Sequence, residues 1–189
     1  MTAICVYLGA RTGNHPALFD SVAQLGKQLA IGGHRLVYGG SSKGLMGHLA
    51  LSAMHHGGKV TGIITKHLIK LEEPFDCLDE LILTDTMQER KLLLQQRADA
   101  FIVVPGGLGT LEEAFETWNA IKIGLFDKPI GFFNRNGFFD SLITFVDHCV
   151  DNEFLTAQQA AIPLLDSDPL SLLSRLLQTV AQQQTNMVS

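Results

Sequence analysis

Residues 100–118 read AFIVVPGGLGTLEEAFETW. The apolar run from Ala100 to Val104 stops at Pro105, three glycines follow (Gly106, Gly107 and Gly109), and a segment with adjacent glutamates begins. A short apolar run, a glycine turn and a helical pattern form the βα half of a parallel α/β unit. The same rhythm extends in both directions. AICVYLG (3–9) ends in the loop GARTGNHP, and Leu18, Val22, Leu25 and Leu29 form the stripe of a helix over 17–31, closed by Gly32 and Gly33. RLVYGG (35–40) runs into SSKGLMG and a helix from about Leu45 to His56, and KVTGII (59–64) follows as a strand. Residues 65–79 read as a long loop, ELILTD (80–85) as a strand and Met87 to Arg97 as a helix. Beyond the opening stretch, with its helix expected over 111–123, come PIGFFN (129–134), a helix over 138–151 and the short strand AIPLLD (161–166). Pro169 opens a last helix ending near Thr179. Six or so strands, each followed by a helix, predict a Rossmann-like α/β fold. It is a doubly wound parallel sheet flanked by helices, in one domain over 1–181, with a fraying polar tail at 182–189.

Composition narrows the function. At 189 residues the chain is long enough to bury a core. A mean hydropathy of +0.18 suggests some apolar surface covered by a partner subunit. A net charge of −5 argues against a broad basic face for nucleic acid, while leaving room for a local anion site. Cys5, Cys77 and Cys149 form no CxxC pair, which predicts reduced thiols in a cytoplasmic protein. MTAICVYLGAR has neither the basic start nor the apolar run of a signal peptide. No run approaches the ~18 apolar residues of a membrane helix, so no membrane partner is expected.

In doubly wound sheets the ligand lies beyond the carboxyl ends of the strands. The loops there are GARTG (9–13), GGSSKGLMG (39–47) and PGGLG (105–109). None has the spacing of a Walker A loop or of a dinucleotide fingerprint. Each alone reads equally as a turn that needs positive φ. Three on one sheet edge point to a phosphate-bearing small molecule. In PGGLGT the backbone N–H groups can converge as a nest, and the helix behind adds partial positive charge. Thr110 reads as a cap that also faces the ligand.

The acidic pair has two readings. Thr110 and Glu113 fit the capping box [ST]xxE, in which Glu113 reaches back to the Thr110 N–H. In the other reading a nucleotide phosphate rests on the nest and a carboxylate faces the anomeric carbon. N-glycosidic cleavage passes through an oxocarbenium-like state, which a carboxylate stabilises or whose water it activates. Glu116, one turn on, shares a face with either Glu112 or Glu113. A carboxylate near phosphate needs cations, and TDTMQERKL (84–92) supplies Arg90 and Lys91. The plain alternative for that pair is a solvated helix surface.

Together these residues resemble the Lonely Guy family of cytokinin riboside monophosphate phosphoribohydrolases, often labelled lysine decarboxylases. The family's PGGxGTxxE is complete as Pro105, Gly106, Gly107, Gly109, Thr110 and Glu113, and its Met-x-x-Arg-Lys as Met87, Arg90 and Lys91. YGGSSKGLMG, which contains Gly40, resembles its YGGGxxGLMG, and the similarity runs from Ile4 to the final helix. The resemblance implies a Rossmann-like homodimer that hydrolyses a nucleoside 5′-monophosphate to free base and ribose 5-phosphate. It implies a site near the subunit interface and no metal or organic cofactor. Arg90 and Glu113 are the implied catalytic residues, and Gly106, Gly107, Gly109 and Thr110 hold the phosphate. Met87, Lys91, Gly40 and Glu116 complete the expected substrate contacts. Ser41 stands where the family has a third glycine, Arg11 adds a cation to the first loop, and Thr65 replaces a frequent proline. These departures bear on the preferred base more than on the reaction. The decarboxylase label finds no support, because no lysine sits in the context of a pyridoxal-phosphate Schiff base.

His48 and His55 lie seven apart on a helix with no third ligand, so no metal site is expected. His15 and Arg11 stand near the end of the first strand, within reach of a ligand. Trp118, Phe115 and Phe126 read as core or dimer interface, with the helix over 111–123 or its neighbour at a two-fold axis. A non-catalytic nucleotide-binding or sensing module on the same fold is the alternative function. The presence of both Arg90 and Glu113 argues for the enzyme, because a binder has little use for a carboxylate beside phosphate.

Overall fold

Alternation along the strands sets the layers. Ile4, Val6 and Leu8 enter one apolar cluster while Cys5 and Tyr7 enter another; Ala100, Ile102 and Val104 split from Phe101 and Val103 in the same way. Successive strand side chains point to opposite faces, so this pattern requires helices on both. The computed structural model describes residues 1–75 and 77–188, and in it seven strands meet that requirement. They are β1 (Ala3–Tyr7), β2 (Arg35–Tyr38), β3 (Lys59–Thr65), β4 (Glu80–Thr84), β5 (Ala100–Val103), β6 (Ile130–Phe133) and β7 (Leu164–Asp166). They pair in parallel throughout, in the order β4-β3-β2-β1-β5-β6-β7.

Helices α1 (Pro16–Ile31), α2 (Gly44–His55) and α7 (Pro169–Val188) cover one face. Helices α3 (Met87–Gln96), α4 (Leu108–Lys122) and α5 (Asp140–Asp151) cover the other, and α6 (Ala157–Ala160) is a single turn beside them. The winding direction reverses between β1 and β5. Their following loops diverge there and leave a crevice at the carboxyl edge. No helix among the described residues is long and apolar enough to cross a membrane.

Several boundaries differ from expectation. Helix α4 starts at Leu108, three residues early, because its first-turn N–H groups need no helical acceptor and glycines are tolerated there. Helix α7 continues past Thr179 to Val188, since 181–186 contain neither glycine nor proline to stop it; Ser189 of the expected tail lies outside the described residues. The loop over 65–79 holds a 3₁₀ turn at Leu68–Lys70, and a second, Arg135–Gly137, delays α5 to Asp140. Gly44, at φ +57°, packs under the first loop, where a Cβ would run into the Ala10 carbonyl.

Candidate functional site

The crevice is a cleft of about 730 Å³. Its wall is formed by the loops after β1, β5 and β6, the turn after β3 and the first turns of α2 and α3. Met87, Arg90, Gly106, Gly107, Gly109, Thr110 and Glu113 all line it, as do Arg11 and His15.

At its floor lies an ion pair. Arg90 and Glu113 are only 5% and 8% exposed, and Arg90 Nη1 donates to Glu113 Oε1 at 2.8 Å. Arg90 Nε donates to the Ile63 carbonyl at 2.9 Å, so its plane is held from both sides. Gly39 makes room for it, since a Cβ there would sit 2.5 Å from Arg90 Nη2. The neighbouring Gly40 does not line the cleft. It turns at φ +79° against β3, where a Cβ would lie 3.3 Å from the Ile63 nitrogen. The glycine that serves Arg90 is thus Gly39, which sequence reasoning passed over within the same Gly-Gly pair. Burial pushes the Glu113 carboxyl above the usual range. The charge and hydrogen bond of Arg90 pull it back, and the charges of Glu112 and Glu72 push the other way.

The capping box does not form. Gly107, in extended backbone, caps α4, which places Thr110 inside the helix and frees Glu113 to meet Arg90. Thr110 is buried against Gly106, where a Cβ would run into its Oγ1. The first helical hydrogen bond is Leu111 N–H to the Gly107 carbonyl at 3.1 Å, so the preceding amides have no helical acceptor. Met87 opens α3, which Thr86 caps by accepting the Glu89 N–H at 3.1 Å.

Lys91 and Glu116 lie beside the cleft and not in its wall. Lys91 Nζ bonds Glu112 at 2.8 Å and Glu116 at 2.6 Å, tying α3 to α4. Trp118 belongs to the core, with Nε1 donating to the Gln159 carbonyl at 3.0 Å. His48 stacks on Phe19 with ring centroids 3.5 Å apart. Sequence reasoning missed Leu68 and Glu72 after β3, and Arg135, Asn136 and Phe138 after β6, all in the wall. The Asn-Gly pair at 136–137 was the available turn signal; Glu72 had none, because it lies in a segment without periodicity.

The family model described as "Possible lysine decarboxylase" matches residues 46–176. A cytokinin riboside 5′-monophosphate phosphoribohydrolase of Arabidopsis thaliana is 40% identical over 187 residues, covering 98% of this chain and 87% of that protein. One from Oryza sativa subsp. japonica is 37% identical over 186 residues, covering 98% and 76%. A structural-genomics target solved by X-ray superposes with a TM-score of 0.73 at 22% identity, over 94% of this chain and 99% of that one. A molybdenum cofactor carrier protein from Chlamydomonas reinhardtii gives 0.70 at 19%, over 95% and 98%. At those identities the two structures share the fold.

Proposed function

The chain belongs to the Lonely Guy family of cytokinin riboside 5′-monophosphate phosphoribohydrolases, and from that premise we propose that it hydrolyses the N-glycosidic bond of a nucleoside 5′-monophosphate. The products are a free base and ribose 5-phosphate. The observation that carries this reading is the buried Arg90–Glu113 pair opening onto a glycine loop with unpaired first-turn amides.

The phosphate rests on the amides of Gly106 to Thr110, at the positive end of α4. Met87 borders the sugar, and Glu113 faces the anomeric carbon. As the bond between that carbon and the base nitrogen breaks, its electron pair leaves with the base, which takes up a proton. Water adds to the carbon and gives up a proton. Glu113 stabilises the oxocarbenium-like centre and accepts that proton. Arg90, held by Ile63, orients the carboxylate and favours its ionised form against burial. Lys91, Glu112 and Glu116 act outside the cleft as a tie between α3 and α4, and Gly40 as a backbone turn.

A homodimer fits the same reading. Phe115, Ile123, Leu125, Phe145 and Phe154 are exposed on α4, α5 and the segments after them, and a second copy would cover them. Light scattering showing a monomer at working concentration would count against it. The activity is tested by chromatography of base release from AMP, GMP, CMP and isopentenyl-AMP. Release from at least one supports the hydrolase. Tight nucleotide binding with no base released from any would support a binding module instead.

A further inference from the structure

Four of the chain's six arginines have acceptors. Arg35 bonds Thr61, Arg90 bonds Ile63 and Glu113, Arg97 bonds Glu80, and Arg175 bonds Leu165 and Asp166. The two without one among the described residues, Arg11 and Arg135, both line the cleft. Sheet order places them. Arg11 follows β1, Arg135 follows β6, and β5 runs between those strands. The glycine loop after β5 therefore has an unpaired guanidinium on the loop to either side.

The turn that carries Arg135 is built to hold it. Asn134 Oδ1 accepts the Phe139 N–H at 2.7 Å, its Nδ2 donates to Asp140 at 2.6 Å, and its N–H bonds the Asp166 carbonyl at 2.7 Å. Asn136 and Gly137 follow at φ +54° and +71°, in the left-handed region that asparagine and glycine tolerate best. Within this turn Arg135 Nε is buried with no acceptor. A buried donor left unpaired is unfavourable, and an anion in the cleft would satisfy it.

Charge balance points the same way. Among the cationic residues of the wall, Arg90 is already neutralised by Glu113. The wall's unpaired carboxylate, Glu72, follows β3, two strands beyond β1 on the side away from the glycine loop. The cleft is thus positive around β1, β5 and β6 and negative near β3.

We infer that Arg11 and Arg135 form a clamp on the phosphate of the bound ligand, one arm on each side of the glycine loop. Two guanidiniums add charge-assisted donors to the loop amides and suit a dianionic sugar phosphate monoester. Arg135, half-buried on a fixed turn, is the stronger arm; Arg11, exposed on the first loop, is the weaker. The inference rests on the nucleotide reading above.

Calorimetric titration of the full chain with ribose 5-phosphate tests it without requiring turnover. Arg135→Gln should weaken binding about tenfold to a hundredfold, Arg11→Gln by less, and the double variant by more than either. Arg135→Lys should recover part of the loss, and adenosine affinity should not change. Unchanged ribose 5-phosphate affinity in the double variant overturns the clamp, as does no binding by the wild type. A parallel loss of adenosine affinity overturns it too, because that marks a merely structural role. Binding that depends on both arginines, with no base released from any monophosphate, removes the hydrolase reading and leaves the clamp. Normal turnover with unchanged KM in the double variant does the reverse.

Discussion

Arg90 and Lys91 are adjacent on α3, and their partners Glu113 and Glu112 are adjacent on α4, yet the two ion pairs differ in kind. The side chains of Arg90 and Glu113 are 6% and 10% exposed and face the cleft. Lys91 is 13% exposed, but Glu112 and Glu116 are 57% and 44% exposed and lie outside the wall. Consecutive helical residues point about 100° apart. One step along each helix therefore separates a desolvated pair, where charge is strong and burial raises the Glu113 carboxyl, from a more solvated one that ties two helices together.

The comparison can be broken at several points. The largest expected effect is on turnover. Glu113→Gln should lower kcat for base release by about 10²–10⁴-fold with the folded state retained, measured by chromatography and circular dichroism. A wild-type rate would remove Glu113 from the chemistry.

Arg90→Met should next cost about 3–5 kcal/mol of stability at neutral pH, because it leaves Glu113 charged, buried and unpaired. The Glu113 carboxyl is already raised in the folded state by burial, and loss of Arg90 raises it further. A group raised in the folded state favours folding below its unfolded value and loses that contribution as pH rises through the folded one. Urea denaturation should therefore show the defect shrinking in acid and growing toward neutrality. A pH-independent defect would mean that Glu113 is not the cause.

Lys91→Ala should cost under about 1 kcal/mol, as solvated pairs do, and leave base release near normal. A loss of turnover as deep as that of Glu113→Gln would erase the distinction between the two pairs. The smallest effect is on the pH profile. The acid limb of kcat/KM should lie above the ordinary glutamate range. Glu112→Gln should move that limb to lower pH, since the Glu112 charge pushes Glu113 up. A limb that moves upward would contradict the assigned electrostatics.

Much of this architecture was legible in the chain. Runs such as Ala100–Val104 are short, apolar and bounded by glycine, so they read as interior parallel strands whatever surrounds them. The glycine loop was legible because its glycines follow an apolar strand at motif spacing, and they line the cleft. The capping box at Thr110 and Glu113 misled, because the local pattern is the same whether a helix begins at Leu108 or Leu111. Only the packing of Thr110 on Gly106 and the reach of Arg90 from α3 distinguish the two. Lys91 and Arg90 were likewise inseparable by residue type, since both are cations near a helix start.

By itself, then, the sequence determined the parallel doubly wound sheet, and its motif spacing singled out Arg90 and Glu113, which the fold brings together in the cleft at the carboxyl edge. Periodicity, backbone-permissive glycines and motif spacing are local properties that a chain carries openly. The tertiary structure alone decided that Glu113 meets Arg90 and not the Thr110 N–H, which glycine admits Arg90, and that Arg11 and Arg135 stand on the two sides of one loop. Those facts depend on helix rotation and strand order, which bring together residues distant in sequence and leave no local trace in the residues themselves.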